Sequence, residues 1–136
     1  MERFLEAQKD TYDTALAEIK AGRKETHWMW WVFPQYKGLG YSAYSHYFAI
    51  ESLDEAGEYH SHPVLGNRLR ECMWALLELY DETAVEVFGE VDAKKLQSCM
   101  TLFYYATGDK LCGKVLERFF DGALCLDTLK LIIESE

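Results

Sequence analysis

Polar side chains that can move protons or bind a ligand flank an aromatic segment between His27 and Gly40. A histidine side chain can exchange protons in the physiological pH range, so His27 is the first candidate acid or base for catalysis. Gln35 carries a hydrogen-bond donor and an acceptor, and Gly38 and Gly40 permit a turn with positive φ or a close approach of the backbone. Trp30 adds a flat aromatic face. This combination is typical of the wall of a small-molecule pocket.

Other polar residues could complete such a site from segments farther along the chain. Lys95 is predicted to lie at the start of a helix that Asp92 caps, where its positive charge opposes the helix dipole. A bound anion would explain that placement, and a neighbouring acidic side chain would explain it as well. The candidate ligand-binding residues are Trp30, Gln35, Gly38, Gly40, Ser42, His46, Tyr47, Lys95, Ser98 and Thr101.

The patterns of other common active sites are absent from the sequence. His60 and His62 are two residues apart, which is not the i, i+4 spacing of a helical zinc pair, so no metal site is predicted. The cysteines form no C-x-x-C pair and fall on apolar helix faces, so they are predicted to be reduced, unreactive core thiols. No phosphate-binding loop or nucleophile elbow is found, and no cofactor is predicted. The sequence therefore leaves open whether the protein is an enzyme.

Composition and charge restrict the class of protein. The 136 residues are 49% hydrophobic and 15% aromatic, which excludes a disordered chain and predicts one domain over residues 1–136. The net charge of −9 comes entirely from residues 51–136, because residues 1–50 are neutral. An acidic surface repels the phosphate backbone, so no nucleic-acid partner is expected. Without a signal segment or an apolar run of about 18 residues, the chain is expected to be cytoplasmic, with no membrane partner.

Apolar periodicity and capping residues predict the elements that position these side chains. A first helix is expected over residues 2–21. Thr26 is predicted to cap a short buried helix that Pro34 ends. Ser42 is predicted to cap the next short helix, and Ser52-Leu53-Asp54-Glu55 has the capping-box pattern that begins another.

The second half of the chain carries the clearest helical stripe, with apolar residues at helical spacing from Leu65 to Tyr80. A second capping box runs from Thr83 to Glu86 and opens a helix that Gly89 ends. Asp109 and Asp127 are predicted to start the last two helices. Because no alternating strand is found, the predicted fold class is all-α, a compact bundle of about eight or nine short helices.

Long motifs are distributed over nearly the whole chain. They include the run from His27 to Gln35, Gly38-Leu39-Gly40-x-Ser42, the segment from His62 to Cys72, and the segment from Asp92 to Phe103. In these motifs the chain resembles the domain-of-unknown-function 1810 family. The resemblance implies a mainly helical, single-domain fold. It implies no particular activity, because none is settled for that family.

A shorter motif, Ser45-His46-Tyr47-Phe48, is followed much later by Lys95 and Met100 in one predicted helix. It is similar to the NADAR family of ADP-ribose-related hydrolases, in which a glutamate precedes the His-Tyr or Gln-Tyr pair. Ser45 stands in the place of that glutamate, so a carboxylate for acid–base chemistry or ribose binding is missing. The resemblance therefore implies binding of a nucleotide-like ligand more readily than hydrolysis.

Two functions are consistent with these observations. One is binding, with or without processing, of a small anionic metabolite such as an ADP-ribose-like or other nucleotide ligand. The other is a non-enzymatic protein-interaction domain, in which the aromatic segment is core and the acidic residues 51–136 face an unidentified protein partner. The relative positions of His27, Gln35 and Lys95 discriminate between the two, because a binding site requires them to share a concave surface.

Overall fold

Nine helices form the structure of this chain, which a computed structural model describes over all of residues 1–136. They are α1 (Glu2–Lys9), α2 (Tyr12–Lys20), α3 (Met29–Val32), α4 (Ala43–Tyr47), α5 (Leu53–Ser61), α6 (Leu65–Leu77), α7 (Ala84–Thr107), α8 (Lys110–Phe120) and α9 (Leu126–Ser135). The predicted all-α class is confirmed. Outside the helices, Tyr36 and Ile50 form one isolated parallel bridge. No helix combines the length and the apolar character needed to cross a membrane.

Helix α7 is the central element, because α5, α8 and α9 all pack against it. Its inner face buries Leu96, Cys99, Met100 and Phe103, which recur at helical spacing. Gly89 interrupts this helix with φ of 79° and ψ of 167°, so that two helical segments meet at a kink. The predicted end of a helix at Gly89 is therefore correct, and a second helical segment follows at once.

Capping side chains begin several helices as predicted. Both bonds of the capping box at Thr83 and Glu86 are present. The side chains of Ser42 and Asp109 accept backbone amides at the starts of α4 and α8. In the capping box predicted at Ser52 and Glu55 only the serine half is formed, because the carboxylate of Glu55 accepts bonds from Arg3 and from the Glu51 amide instead.

The prediction of one helix over residues 2–21 is wrong, since α1 and α2 are separated by a turn at Asp10 and Thr11. The Thr11 hydroxyl donates to the carbonyl of Ala7 at 2.6 Å and accepts the indole N–H of Trp31 at 2.8 Å. A threonine hydroxyl that bonds to nearby backbone competes with regular helical hydrogen bonding. The turn at Thr11 is therefore compatible with the bond that its hydroxyl accepts from Trp31. The bond from Trp31 is what distinguishes Thr11 from a threonine inside an ordinary helix, and it is a tertiary contact.

Thr26 does not cap α3, which is a second correction. Its hydroxyl and its amide both donate to the carboxylate of Glu18, which also accepts the amide of Glu25 and the indole N–H of Trp28. Burial acts to raise the pKa of Glu18, but these hydrogen bonds outweigh it and lower the pKa to about 2. The entry to α3 is therefore fixed by a carboxylate from α2, and α3 begins after Trp28 without a side-chain cap.

The aromatic segment is partly core and partly site wall. Trp28, Met29, Val32 and Phe33 are buried, whereas Trp30 is only partly buried. The rings of Trp28 and Phe33 both meet Phe88 of α7 edge-on, with centroids 6.3 and 6.2 Å apart. These contacts fix the segment on the first half of α7.

Candidate functional site

A cleft of about 580 Å³ lies between the aromatic segment, the second half of α7 and the N-terminal end of α9. This volume is within the range of small-molecule pockets. Its lining includes Trp30, Gln35, Leu39, Glu90, Val91, Lys94, Lys95, Ser98, Cys125, Leu126 and Asp127. The structure thus brings together four of the predicted ligand-binding residues, Trp30, Gln35, Lys95 and Ser98.

Gln35 is the most unusual group in this cleft. The residue is only 8% exposed, and its side-chain amide makes no hydrogen bond within the protein. The backbone around it is held firmly, because the Ile50 amide donates to its carbonyl at 2.8 Å and the Lys37 amide donates to the Ile50 carbonyl at 3.0 Å. The amide atoms themselves are open to the cleft, since Arg3 Nε is the one buried side-chain nitrogen or oxygen that lacks a hydrogen bond. A ligand in the cleft can therefore bond to Gln35 directly.

Lys95 lies over the indole of Trp30, with Nζ 3.9 Å from the ring centroid. The same ammonium is 3.1 Å from Oδ1 of Asp92, and Nζ of Lys24 is 2.8 Å from Oδ2. Burial acts to raise the pKa of Asp92, but its bonds to Lys24 and Lys95 outweigh this and hold the pKa below its usual range. Two ammonium groups therefore share one carboxylate.

The predicted N-cap role of Asp92 is wrong. Asp92 lies inside α7, three residues after the kink at Gly89, and its side chain pairs with lysines instead of with backbone amides. An acidic side chain beside Lys95 was one of the two predicted explanations for its position, and Asp92 is that side chain. Because the Asp92 carboxylate is divided between two lysines, Lys95 has only part of a counter-charge.

A smaller hollow of about 190 Å³ lies on the other side of Trp30 and Lys95. Trp28, Trp31 and Tyr44 supply aromatic walls to it. His27 is exposed and lines this hollow, not the larger cleft. His27 and Gln35 therefore face two adjacent spaces, and Trp30 and Lys95 are shared by both.

Gly38 and Gly40 shape the cleft by allowing close packing. Gly38 has φ of +97°, and a Cβ there would lie 3.1 Å from Leu131 of α9. A Cβ on Gly40 would lie 2.7 Å from the Cβ of Ser45. The predicted turn with positive φ and the predicted close approach are both present, and between them Leu39 supplies the side chain that lines the cleft.

Ser98 and Thr101 attach α9 to α7. The hydroxyls of Ser98 and Thr128 are 2.7 Å apart and buried, and the Thr101 hydroxyl accepts the amide of Cys125 at 2.9 Å. Thr101 is fully buried and does not line the cleft. Its place in the structure is behind the wall, where it fixes the chain that enters α9.

Three of the candidate residues lie apart from the cleft, on and before α4. Ser42 accepts the Ser45 amide at 3.1 Å as the cap of that helix. His46 and Tyr47 are exposed, and neither lines the cleft or the smaller hollow. The structure therefore does not bring these three residues together with Gln35.

Some cleft residues were not predicted from the sequence, and they lie on α7 and at the start of α9. Lys94 lies beside Lys95, and Val91 and Leu126 are exposed apolar residues, at 69% and 76%, on the cleft wall. The prediction that Asp127 starts the last helix is displaced by one residue, because α9 begins at Leu126 with Cys125 as its N-cap. The signal in the sequence was the apolar side chain of Leu126 at a helix start, where polar residues are usual.

His60, His62 and Asp109 have structural partners outside the cleft. Nε2 of His60 is 2.8 Å from Asp109, the cap of α8, and Nδ1 of His62 accepts the amides of Val64 and Leu65 at the start of α6. Burial acts to raise the pKa of Asp109, but the hydrogen bond from His60 contributes most to holding it below its usual range. No group of three His, Cys, Asp or Glu side chains is placed to hold a metal ion.

The thiols agree with the prediction of unreactive core cysteines at three of four positions. Cys72, Cys99 and Cys112 are buried, and burial raises the pKa of Cys72 and of Cys112 to about 12 and that of Cys99 well above its usual value. Cys125 is the exception, because it is only partly buried and lines the cleft. All four are free thiols.

This architecture defines a class of small all-helical protein in which the central helix and the last helix enclose a cleft beside an aromatic segment. The family model described as "Protein of unknown function (DUF1810)" matches residues 1–132, and the chain belongs to this family. Its fold is similar to the crystal structure of the conserved hypothetical protein Rv1873 from Mycobacterium tuberculosis. The two chains are 39% identical with a TM-score of 0.95, over 97% of this chain and 95% of that one. No curated protein matches the chain.

Proposed function

We propose that this protein binds a small anionic metabolite in the cleft between α7 and α9, and that nucleotide-like ligands such as ADP-ribose are the preferred class. The observation that carries the proposal is the side-chain amide of Gln35, which belongs to a largely buried residue, has no hydrogen-bond partner in the protein and is open to the cleft. Most polar groups of largely buried residues are hydrogen-bonded within the protein. An amide that lacks such a bond and opens into a concave site is available to bond a ligand there.

The neighbours of Gln35 match the parts of a nucleotide. A glutamine amide can pair with the donor and acceptor edge of a nucleobase, for which adenine is the usual match. The partly buried indole of Trp30 offers a stacking surface, which is sequence-tolerant because every base has a π face. The ammonium of Lys95 supplies a charged donor for a phosphate oxygen.

The charge around Lys95 favours an anion over a cation. Lys24 and Lys95 bring two positive charges to the single carboxylate of Asp92, so these three groups carry one positive charge in excess, while Glu90 and Asp127 face the cleft from other positions. An incoming cation would meet this charge and an indole face that Lys95 already covers. An incoming phosphate or carboxylate would complete the pairing of Lys95 without removing Asp92 from Lys24.

Binding is supported better than hydrolysis. Ser45, which stands in the place of the NADAR glutamate, is 8% exposed, and its hydroxyl donates to the Ser42 carbonyl at 2.7 Å. It therefore presents no group to a ligand in the cleft. The role of His27 as an acid or base is part of the proposal only for a ligand that extends past Trp30 into the smaller hollow, which His27 lines.

A thermal-shift series on the purified protein tests the proposal. The probes are ADP-ribose, ADP, NAD and adenosine, with ribose 5-phosphate as a ligand that lacks the base. A ligand at a hundred times its Kd stabilises the folded state by about 2.7 kcal/mol, which raises Tm by several degrees in a domain of this size. We expect a rise with ADP-ribose or ADP, and titration calorimetry would then give the affinity.

Variants of the wall make this test specific. Gln35→Met keeps the size of the side chain and removes the amide, so we expect it to weaken ligand binding at least tenfold while leaving Tm equal or higher. Trp30→Leu and Lys95→Met should also weaken binding. Lys114→Met, which removes an exposed lysine in the middle of α8, is the matched control. Equal affinity in wild type and Gln35→Met would contradict the proposal, as would the absence of any shift over the whole panel.

The protein-interaction alternative required the aromatic segment to be core and the polar candidates to lie apart. The structure meets the requirement of one shared concave surface for Gln35 and Lys95, which line one cleft, but not for His27, which lines the adjoining hollow with Lys95. In favour of the alternative, the aromatic side chains of Tyr41, Tyr44 and Tyr47 are 97%, 60% and 61% exposed. A cleft with an unpartnered amide indicates a small ligand more directly than an exposed tyrosine indicates a partner, so ligand binding is the function proposed.

A further inference from the structure

The N-terminal end of α9 opens into the cleft with unused backbone amides. Cys125, the N-cap, makes no side-chain capping bond, and the amides of Leu126 and Asp127 donate to no acceptor in the protein. Both residues line the cleft. The first amides of a helix and its dipole attract anions, and α9 has ten residues over which that dipole can build. We infer that the phosphate group of the ligand binds at this helix end, an inference that rests on the proposed function.

This helix end is held rigidly in place. The Cys125 amide donates to the buried hydroxyl of Thr101 on α7, and one turn into α9 the Thr128 hydroxyl bonds to Ser98, also on α7. The amides of Leu126 and Asp127 are thus pre-oriented by two bonds to the central helix. Pre-organised donors bind an anion without the entropic cost of ordering the loop.

The side-chain amide of Gln35 is an independent observation that points to a ligand in the same cleft. It belongs to a different segment, is 8% exposed and has no internal partner. Together, Gln35 and the start of α9 give the cleft one group that can bond a neutral donor–acceptor edge and another that can bond an anion. A ligand with a base or amide at one end and a phosphate at the other satisfies both.

The charged side chains around the start of α9 favour a phosphate over a singly charged anion such as a carboxylate. Lys94 and Lys95 face the cleft from α7, and Glu90 and Asp127 face it as well. Asp127 in the first turn of α9 places a carboxylate beside the unused amides. It therefore competes with a bound anion, and a group with more charge and more acceptor oxygens than a carboxylate, such as a phosphate or diphosphate, is needed to prevail.

Replacement of Leu126 by proline tests the inference directly. Proline suits the first position of a helix, and it removes one of the two amides. The preceding residue, Cys125, has φ of −75° and ψ of 108°, which a following proline accepts. We expect Leu126→Pro to weaken binding of ADP-ribose and of inorganic pyrophosphate about tenfold and to leave binding of adenosine, which has no phosphate, unchanged.

Two further variants keep the test decisive. Lys110→Pro places proline at the first position of α8, where Asp109 is similarly extended, and should leave all affinities unchanged. Leu126→Ala measures the loss of the leucine side chain alone, to be subtracted from the effect of proline. Asp127→Asn removes the competing carboxylate and should strengthen pyrophosphate binding several-fold, even if Leu126→Pro does not fold.

The outcomes separate this inference from the proposed function. ADP-ribose binding that depends on Gln35 but is the same in wild type, Leu126→Pro and Asp127→Asn would overturn the phosphate site and leave the proposed function standing. Equal loss of adenosine and ADP-ribose binding in Leu126→Pro would also overturn it, because the phosphate would then play no part. Absence of binding by every probe to the wild-type protein would overturn both.

Discussion

The ammonium of Lys95 lies 3.9 Å from the centroid of the Trp30 indole and 3.1 Å from Asp92. This contact forms the boundary between the cleft that Gln35 lines and the hollow that His27 lines. A cation over an indole contributes about 0.5–2 kcal/mol, less where the pair is hydrated. Lys95 is thus held by two modest interactions, which a ligand phosphate can replace.

Replacement of Asp92 should reveal how strongly the three charges depend on each other. In Asp92→Asn, Lys24 loses its counter-charge although its side chain is only 8% exposed. We expect the free energy of unfolding to fall by about 1–3 kcal/mol, less than for a fully buried pair because Lys95 keeps some solvent. Urea unfolding gives the value. Asp81→Asn, at an exposed loop carboxylate without an ion pair, is the control, and the same midpoint for both variants would contradict the prediction.

The Glu18 carboxylate should make stability depend on acid pH. Its pKa is about 2 in the folded protein against an ordinary 4.5, so the unfolded chain takes up the proton first as the pH falls. Its contribution is therefore fully present above about pH 5 and is lost as the pH falls toward 2. At pH 7 we expect Glu18→Gln to cost about 1–2 kcal/mol, reduced from the buried value by solvent.

Unfolding of wild type and Glu18→Gln at several pH values checks this prediction. The difference between them should shrink steadily below about pH 4. Glu6→Gln, at an exposed glutamate of α1, should show no such pH-dependent difference. A gap between wild type and Glu18→Gln that stays constant down to pH 2.5 would show that the carboxylate bonds are not the cause.

The kink at Gly89 should tolerate no side chain, although there is space for one. A Cβ at Gly89 would meet nothing within 4 Å, but φ of 79° with ψ of 167° is a conformation nearly restricted to glycine. We expect Gly89→Ala to destabilise the protein by about 1–3 kcal/mol and, because the second half of α7 carries Lys95, to weaken ligand binding as well.

Gly57 provides the matched control for this kink. It lies inside α5, and a Cβ there would also meet nothing within 4 Å. Gly57→Ala should therefore stabilise the protein by up to about 1 kcal/mol, since alanine favours the helix. Thermal unfolding of both variants gives the comparison. Changes of the same sign would show that backbone conformation at Gly89 does not decide the effect.

Thiol labelling should report on occupation of the cleft. Cys72 and Cys112, with pKa raised to about 12 by burial, and Cys99, also buried, should react slowly in the folded protein. We expect brief treatment with N-ethylmaleimide to modify Cys125 alone, and a bound ligand to slow that reaction. Peptide mass spectrometry identifies the modified residue, with Cys125→Ser as the control. Rapid labelling of Cys72 would contradict the burial described here.

Local sequence signals were sufficient for most helix starts and for the fold class. The capping box at Thr83 and Glu86, the cap at Asp109 and the stripe of α6 depend on bonds within one turn or on one face of one helix, so spacing alone reveals them. The motifs from His27 onward likewise identified the family correctly. The chemistry of the side chains predicted that Trp30, Gln35 and Lys95 bind one ligand. In the structure these residues line one cleft, and ligand binding there stays a prediction.

The tertiary structure decided what depends on groups far apart in the chain. The break between α1 and α2 follows from a bond between Thr11 and Trp31, and the loss of the predicted cap at Thr26 follows from the carboxylate of Glu18. Neither competitor is visible in a local pattern.

The same holds for the far side of the cleft. The N-terminal end of α9 lines the same cleft as Gln35, and Thr101 and Ser98 attach it there to the central helix. Spacing along a chain determines which face of a helix is apolar. Which amides remain without a partner is decided only when all the helices have packed, because each helix end can be satisfied by any segment that reaches it.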